Sequence, residues 1–329
     1  MKKIVSYLRI EEWLSSKVTF MVGILLYFAY FNHSKTEDTI RNFIAFFLYV
    51  SMFLAISYVA NDFSDLEIDK KVGKKKVIAS MPKWKIWTSF VIMTVVGNCY
   101  IFICAKNKWT CLIIMMVTYF LGLAYSTLGI RFKERGLLGL IECSFAQKCM
   151  PLVMIVCLEN ISGVSVGMLI AWMIFSFVDG LRYIVIHQVI DLKNDIISGV
   201  NTYVAEKKGN YKKVLVLFYI AEWLAVIALI LPLWIRQPIA TGGFVVVNII
   251  LEYCIYVVIQ KYAGKDIFLT YDSVPLEAFL NILFPILTAV CLALINPVLS
   301  IFVLLLIAIC VKPFMIKLEI VTVYIKSKI

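Results

Sequence analysis

The stretch "IRNFIAFFLYVSMFLAISYVANDFSDLEID", residues 40–69, decides the fold. From 40 to 60 it is almost wholly apolar, close to the ~20 residues that span a bilayer. With no water there to bond the backbone, such a segment spans only as a helix. It then opens onto Asp62, Asp65, Glu67 and Asp69, with Lys70, Lys71, Lys74, Lys75 and Lys76 close behind. A greasy helix that ends in carboxylates and lysines ends at a polar site.

Working outward, ten apolar segments recur, at roughly 18–31, 40–60, 85–105, 109–128, 137–158, 164–190, 213–235, 240–260, 276–295 and 297–316. The chain is 62% hydrophobic with mean hydropathy +0.91. This predicts an all-α, polytopic transmembrane bundle of nine to ten helices, forming one integral-membrane domain over 1–329. The start, "MKKIVSYLRIEEWLSSK", is basic, but no small-residue cleavage site follows the first apolar run, which reads as a retained helix. The last two segments meet at Asn296-Pro297 as one broken helix or two; Lys317, Lys326 and Lys328 favour two crossings. Nine cysteines without a CxxC pair read as small membrane hydrophobes.

Lys and Arg set the orientation. With the N-terminus in the cytoplasm, segments 1–17, 61–85, 129–136, 191–213, 261–275 and the tail carry 25 of them. The opposite side carries 5: Lys35, Arg41, Lys106, Lys108 and Arg236. That asymmetry is the positive-inside rule. The net charge of +11 therefore speaks of topology and anionic lipid, and its division among short loops excludes a nucleic-acid partner. No P-loop or GxGxxG signals a nucleotide enzyme.

The chemistry gathers on the cytoplasmic side. At ~100° per residue, Asp65 lies ~40°, Asp69 ~80° and Asp62 ~100° round from Asn61, while Glu67 at ~240° points away. Crowded carboxylates repel, and a hard divalent cation such as Mg²⁺ relieves that while reaching out to substrate phosphates. A second cluster, "HQVIDLKNDIISG", places Asp191 and Asp195 at i, i+4. Both pairs, 61 to 191 and 65 to 195, are 130 residues apart, a hint of two related halves. Between them, "YSTLGIRFKERG" (125–136) puts Arg131, Lys133 and Arg135 where a diphosphate held by metal would need cations. Lys148 and Arg182 lie within spans and are functional candidates by depth alone. For Arg182 an internal pair with Asp179 serves equally well, and Glu222 and Glu252 are available to Lys148. His187, one turn before Asp191, reads as a helix-end hydrogen bond, with a proton acceptor as the alternative.

The three motifs, "NDFSDLEID", "YSTLGIRFKERG" and "DLKND", resemble in order and helix placement those of the UbiA-type intramembrane prenyltransferases. That family carries NDxxDxxxD after helix two, YS…RxK after helix four and DxxxD after helix six. Its Pro pair in the second motif is replaced here by "TLG", and the Arg-Pro pair after the first motif is missing from "GKKKVIASMP". The resemblance implies a bundle of about nine helices and transfer of a polyprenyl group from its diphosphate to an acceptor, often aromatic. It implies Asn61, Asp62, Asp65 and Asp69 around one Mg²⁺ and Asp191 and Asp195 around a second, with Asp65 and Asp191 indispensable to turnover. It further implies Arg131 and Lys133 on the diphosphate, and Tyr125, Ser126, Lys148 and Arg182 as substrate-positioning groups. A terpene cyclase or a phospho-sugar or glycerol prenyltransferase would use the same ions with another acceptor or none. A cation-coupled transporter would explain Lys148 and Arg182 but not two Asp clusters at one rim. A silent membrane scaffold would not need either cluster intact.

Overall fold

The computed structural model describes residues 2–71, 73, 76–127, 129–159, 161, 163–207, 211–258 and 279–326. The cytoplasmic loop expected at 261–275 and the lysine Lys328 lie outside the described residues. Among the described residues there is no strand, and the ten apolar segments of the sequence fold as ten helices. They are α1 (Ile10–Phe31), α2 (Thr36–Ser64), α3 (Lys83–Cys104), α4 (Lys108–Ser126) and α5 (Leu137–Glu159). α6 (Val166–Ser198), α7 (Tyr211–Arg236), α8 (Pro238–Val258), α9 (Phe279–Ile295) and α10 (Ser300–Lys326) complete the bundle. Eight candidate spans are long and apolar enough to cross a membrane, and α8 and α9 are the shorter apolar pair. The chain is a multi-pass integral membrane protein.

The last two segments are separate helices. Asn296 breaks them apart: its Oδ1 caps the Val298 N–H at 3.1 Å, and its Nδ2 donates to Thr36 Oγ1 at 2.6 Å. Pro297 opens the short 3₁₀ turn that leads into α10.

α1 is apolar all round from Val18 onward, and it lies inside the bundle. Every side chain from Lys17 to Phe31 is buried. Tyr27 anchors it, its ring 5.1 Å from that of Trp172 on α6 and its hydroxyl donating to the Leu229 carbonyl on α7 at 3.0 Å. That carbonyl lies in the turn before Pro232. α3 instead stays at the periphery, with Trp84, Trp87 and Ile103 more than half exposed on a face suited to lipid.

α5 and α6 approach through small residues, as membrane helices do. Ser144 Oγ donates to the Phe177 carbonyl at 2.7 Å, and a Cβ on Gly180 would lie 2.9 Å from Ser144 Cα. Among the described residues, three helices contain a π turn: Leu14–Val18 in α1, Phe145–Cys149 in α5 and Phe279–Leu283 in α9. Their first residues, 14, 145 and 279, are 131 and 134 apart, close to the 130-residue offset of the Asp motifs. Each π turn carries one residue more per turn than its helix, and so rotates the helix on one side of it relative to the helix on the other.

Gly180→Ala should overpack the α5–α6 contact and cost about 1–3 kcal/mol, lowering the midpoint of thermal unfolding in detergent. A midpoint equal to that of the wild type would show that this contact can give way freely.

Candidate active site

α2 ends at Ser64, and a short helix, Leu66–Lys71, continues beyond a turn at Asp65. The ladder survives the turn: Asp65 N–H donates to the Asn61 carbonyl at 3.0 Å and Asp69 N–H to the Asp65 carbonyl at 2.8 Å. Asn61, Asp65 and Asp69 therefore stay stacked on one face, and all three line a cavity of about 210 Å³. α6 brings His187, Asp191, Asn194 and Asp195 to the same cavity. His187 Nδ1 lies 3.1 Å from Asp191 Oδ2, and Asp195 Oδ2 accepts from Thr202 Oγ1 at 3.2 Å.

Asp62 behaves differently from its neighbours. It is off the cavity lining, where its Oδ1 receives Arg9 Nη1 at 3.1 Å and Lys76 Nζ at 2.9 Å. Glu67 is exposed, as its angle requires, and pairs with Lys70.

The loop after α4 supplies the cations. Arg131 holds a left-handed backbone, φ 40°, which turns the chain back so that Lys133 reaches α2. Lys133 Nζ sits 2.5 Å from both Asp65 oxygens and 3.4 Å from Asn61 Oδ1. Burial pulls the Lys133 ammonium below the usual lysine range, against the opposing pull of Asp65. Lys133 lines the cavity; Arg131 stands behind it, 3.4 Å from Asp65 and 2.5 Å from Glu134. Ser126 Oγ donates to Asn61 Oδ1 at 2.8 Å, and Tyr125 lines the cavity beside it. The start of α5 presses on this loop at Gly139, where a Cβ would collide with the Phe132 carbonyl oxygen.

Lys148 also lines the cavity, from the π turn of α5. Its Nζ lies 2.6 Å from Asp179 Oδ2. Asp179 accepts in turn from Arg182 Nη2 at 2.8 Å, and Arg182 Nε lies 2.5 Å from Glu222 Oε2. Arg182 is fully buried and outside the cavity lining, in this chain of charges linking α5, α6 and α7. Glu222 thus meets Arg182 rather than Lys148.

Several lining residues had no motif to announce them: Arg9, Lys17, Tyr58, Glu142, Gln147 and Tyr183. Arg9 and Lys17 were visible only as positive-inside charge. Glu142, an acid inside an apolar run, carried the same depth signal that marked Lys148. Neither of its oxygens has a hydrogen-bond partner among the described residues.

The donor set is oxygen-rich and hard, which fits Mg²⁺ and not a soft metal. Among the described residues no three His, Cys, Asp or Glu side chains converge into a cage. Mg²⁺ commonly takes one or two carboxylates and completes its shell with water and substrate phosphate.

The family model for the UbiA prenyltransferase family matches residues 18–283. Two solved structures share the fold. One, of a UbiA homolog from Archaeoglobus fulgidus bound to DMAPP and Mg²⁺, has TM-score 0.60 and 16% identity, covering 88% of this chain and 99% of that one. The other, of a UbiA homolog from the same organism bound to GPP and Mg²⁺, has TM-score 0.55 and 15% identity, covering 94% and 99%. No curated protein matches in sequence. With the family model covering most of its length, this chain belongs to the UbiA prenyltransferase family.

Proposed function

We propose that the protein transfers a polyprenyl group from its diphosphate to a small acceptor, with the site opening on the cytoplasmic face. One observation carries the reading: oxygen donors from both Asp motifs and the ammonium of Lys133 line a single cavity. The prenyl diphosphates and Mg²⁺ held by the Archaeoglobus fulgidus homolog support it. The excess of Lys and Arg, 25 against 5, supports a cytoplasmic N-terminus and hence that face.

In this reading Asn61, Asp65 and Asp69 hold one Mg²⁺ and Asp191 and Asp195 a second. Bound Mg²⁺ would neutralise the charge that grows on the diphosphate as the C–O bond breaks. Lys133 then moves its attraction from Asp65 to a phosphate oxygen, with Arg131 adding fixed positive charge behind it. Asp62 serves at one remove, tying Arg9 and Lys76 to the motif helix. Ser126 fixes the rotamer of Asn61 through its 2.8 Å hydrogen bond. Departure of diphosphate leaves allylic cation character on the prenyl C1. The apolar and aromatic lining, with Phe53, Leu54, Tyr58, Tyr125 and Tyr183, excludes water from that carbon and offers ring faces to it. The same rings favour an aromatic acceptor. Tyr125 and Lys148 border the space for it, and Arg182 positions Lys148 indirectly through Asp179.

The test uses purified protein in detergent or lipid with geranylgeranyl diphosphate and an acceptor panel, tracking diphosphate release and lipid products together. The expected result is Mg²⁺-dependent release coupled to a joined product, lost on chelation with EDTA and restored by Mg²⁺. Release with only a hydrocarbon or alcohol product would replace transfer by cyclisation or hydrolysis. No release from folded protein with any donor would end the reading.

Asp65→Asn and Asp191→Asn should each lower turnover about 100-fold or more while the protein still inserts and elutes as a single species. Full activity in both would remove the two-metal assignment. Lys133→Ala should raise KM for the donor about 10-fold, and an unchanged KM would take Lys133 off the diphosphate.

A further inference from the structure

The outer ends of α4 and α5 hold a pair of thiols. Cys111 lies in the first turn of α4, three residues after Lys108, and Cys157 in the last turn of α5, two residues before Glu159. Their sulfurs are 3.2 Å apart. All nine cysteines are among the described residues, and no other two of them have sulfurs in contact. A cysteine that serves only as a small hydrophobe needs no second sulfur beside it. These two are 46 residues apart in the chain, so helix packing and not local sequence brings them together.

The pair is unequal. Cys111 is 0% exposed, whereas Cys157 is partly exposed. A thiol must be reachable to meet a disulfide donor, but the thiol that completes the bond needs only to touch the first. The two sulfurs are placed for those two roles. The asymmetry of Lys and Arg puts both on the side of the membrane opposite the cytoplasm, where disulfides form and persist.

We propose that Cys111 and Cys157 join in a disulfide that staples α4 to α5 at their extracytoplasmic ends. A protein disulfide on that side of the membrane is the oxidant. The Cys157 thiolate attacks one donor sulfur and releases the other as a thiolate, leaving a mixed disulfide. The Cys111 thiolate then attacks the Cys157 sulfur and expels the donor's second thiolate. The two cysteines give up two electrons and two protons, and the donor disulfide becomes a dithiol. The bond closes a loop that contains the α4–α5 hairpin, with Ser126, Lys133 and Lys148 on it. It fixes the register of the two helices from the far side of the membrane, and so the height at which the 125–136 loop meets Asn61 and Asp65. The proposal rests on the cytoplasmic placement of the N-terminus.

The experiment uses the full chain expressed in its membrane. Free thiols are trapped at lysis with N-ethylmaleimide, and the denatured protein is weighed by mass spectrometry. Seven of the nine thiols should carry the label, with Cys111 and Cys157 recovered as one linked peptide that reductant separates. Cys111→Ser and Cys157→Ser should each label at all eight remaining cysteines. Reductant should lower the midpoint of thermal unfolding by about 3 °C or more in the wild type and leave both variants unmoved. The wild-type count stands even where a serine variant fails to fold. Nine labelled thiols, a link between other cysteines, or a reduction that leaves the wild-type midpoint unchanged overturns the proposal. Lys35→Cys, at an exposed position between α1 and α2, reports the orientation: a membrane-impermeant maleimide should reach it in intact cells. If it labels only after the membrane is opened, the orientation has failed and takes the staple with it. If it labels in intact cells while all nine native thiols are free, only the staple has been misassigned.

Discussion

A charge placed in a low-dielectric bundle must be met by another, and most of this structure's polar architecture obeys that requirement. Asp62 is met by Arg9 and Lys76, Asp65 by Lys133 and Arg131, and Asp179 by Lys148 and Arg182. Most of these pairings join segments far apart in the chain. The Asp62 pairs tie the N-terminal segment and the region after the first motif to α2. The Asp65 pairs draw the α4–α5 loop over the same helix. The Asp179 pairs, extended by Glu222, hold α5, α6 and α7 in register. The Asp65 carboxylate proposed to bind metal is therefore already neutralised by cations, and those cations are suited to hold phosphate once a metal takes their place. In the proposed reading the same side chains serve folding and chemistry by changing partners.

Much of this was legible in the sequence because it is local. Ten apolar runs became ten helices, because length and hydropathy decide a span without reference to neighbours. The stacking of Asn61, Asp65 and Asp69 needed only the ~100° step, and the i→i−4 bonds carry it through the turn at Asp65. Ser126 and Lys133 gather at Asn61 and Asp65 across 65 to 72 residues of chain, and only the motif order pointed there. What could not be read depends on partners outside the local helix. Asp62 shares its helix with Asn61, but Arg9 lies 53 residues away and draws it elsewhere. Arg182 presented itself as a membrane charge, and its second partner, Glu222, is 40 residues off on α7. Lys17 looked like one more positive-inside residue, because a lysine at the cytoplasmic end of a span has the same sequence whether it faces lipid headgroups or a cavity.

The central position of α1 has its own logic. A helix without a polar stripe gains nothing from facing lipid over facing protein, so packing rather than hydropathy decides where it goes. Its aromatic residues decide it. Phe20, Tyr27 and Phe31 interlock with Trp172, Phe175 and Phe284, and this rigid stack lies beyond the Lys148 end of the cavity, where Phe20 is 4.6 Å from the Lys148 ammonium. The floor of the site and the core of the bundle are one continuous aromatic packing.

The π turns make this protein more sensitive to length than to composition. Apolar exchanges beyond Lys17 leave its aim unchanged, whereas loss of a single residue from Leu14–Val18 would close the turn to an ordinary helix. Everything on one side would then rotate by about 100° against the other. The third turn shows which part of the device is durable: the fourth residue of each is Lys17, Lys148 and then Ile282. The π turn is present in all three while the charge is present in two. Across descendants of this chain, insertions and deletions in these turns would be the harder changes to survive, and the residue each turn presents would be the easier one to exchange.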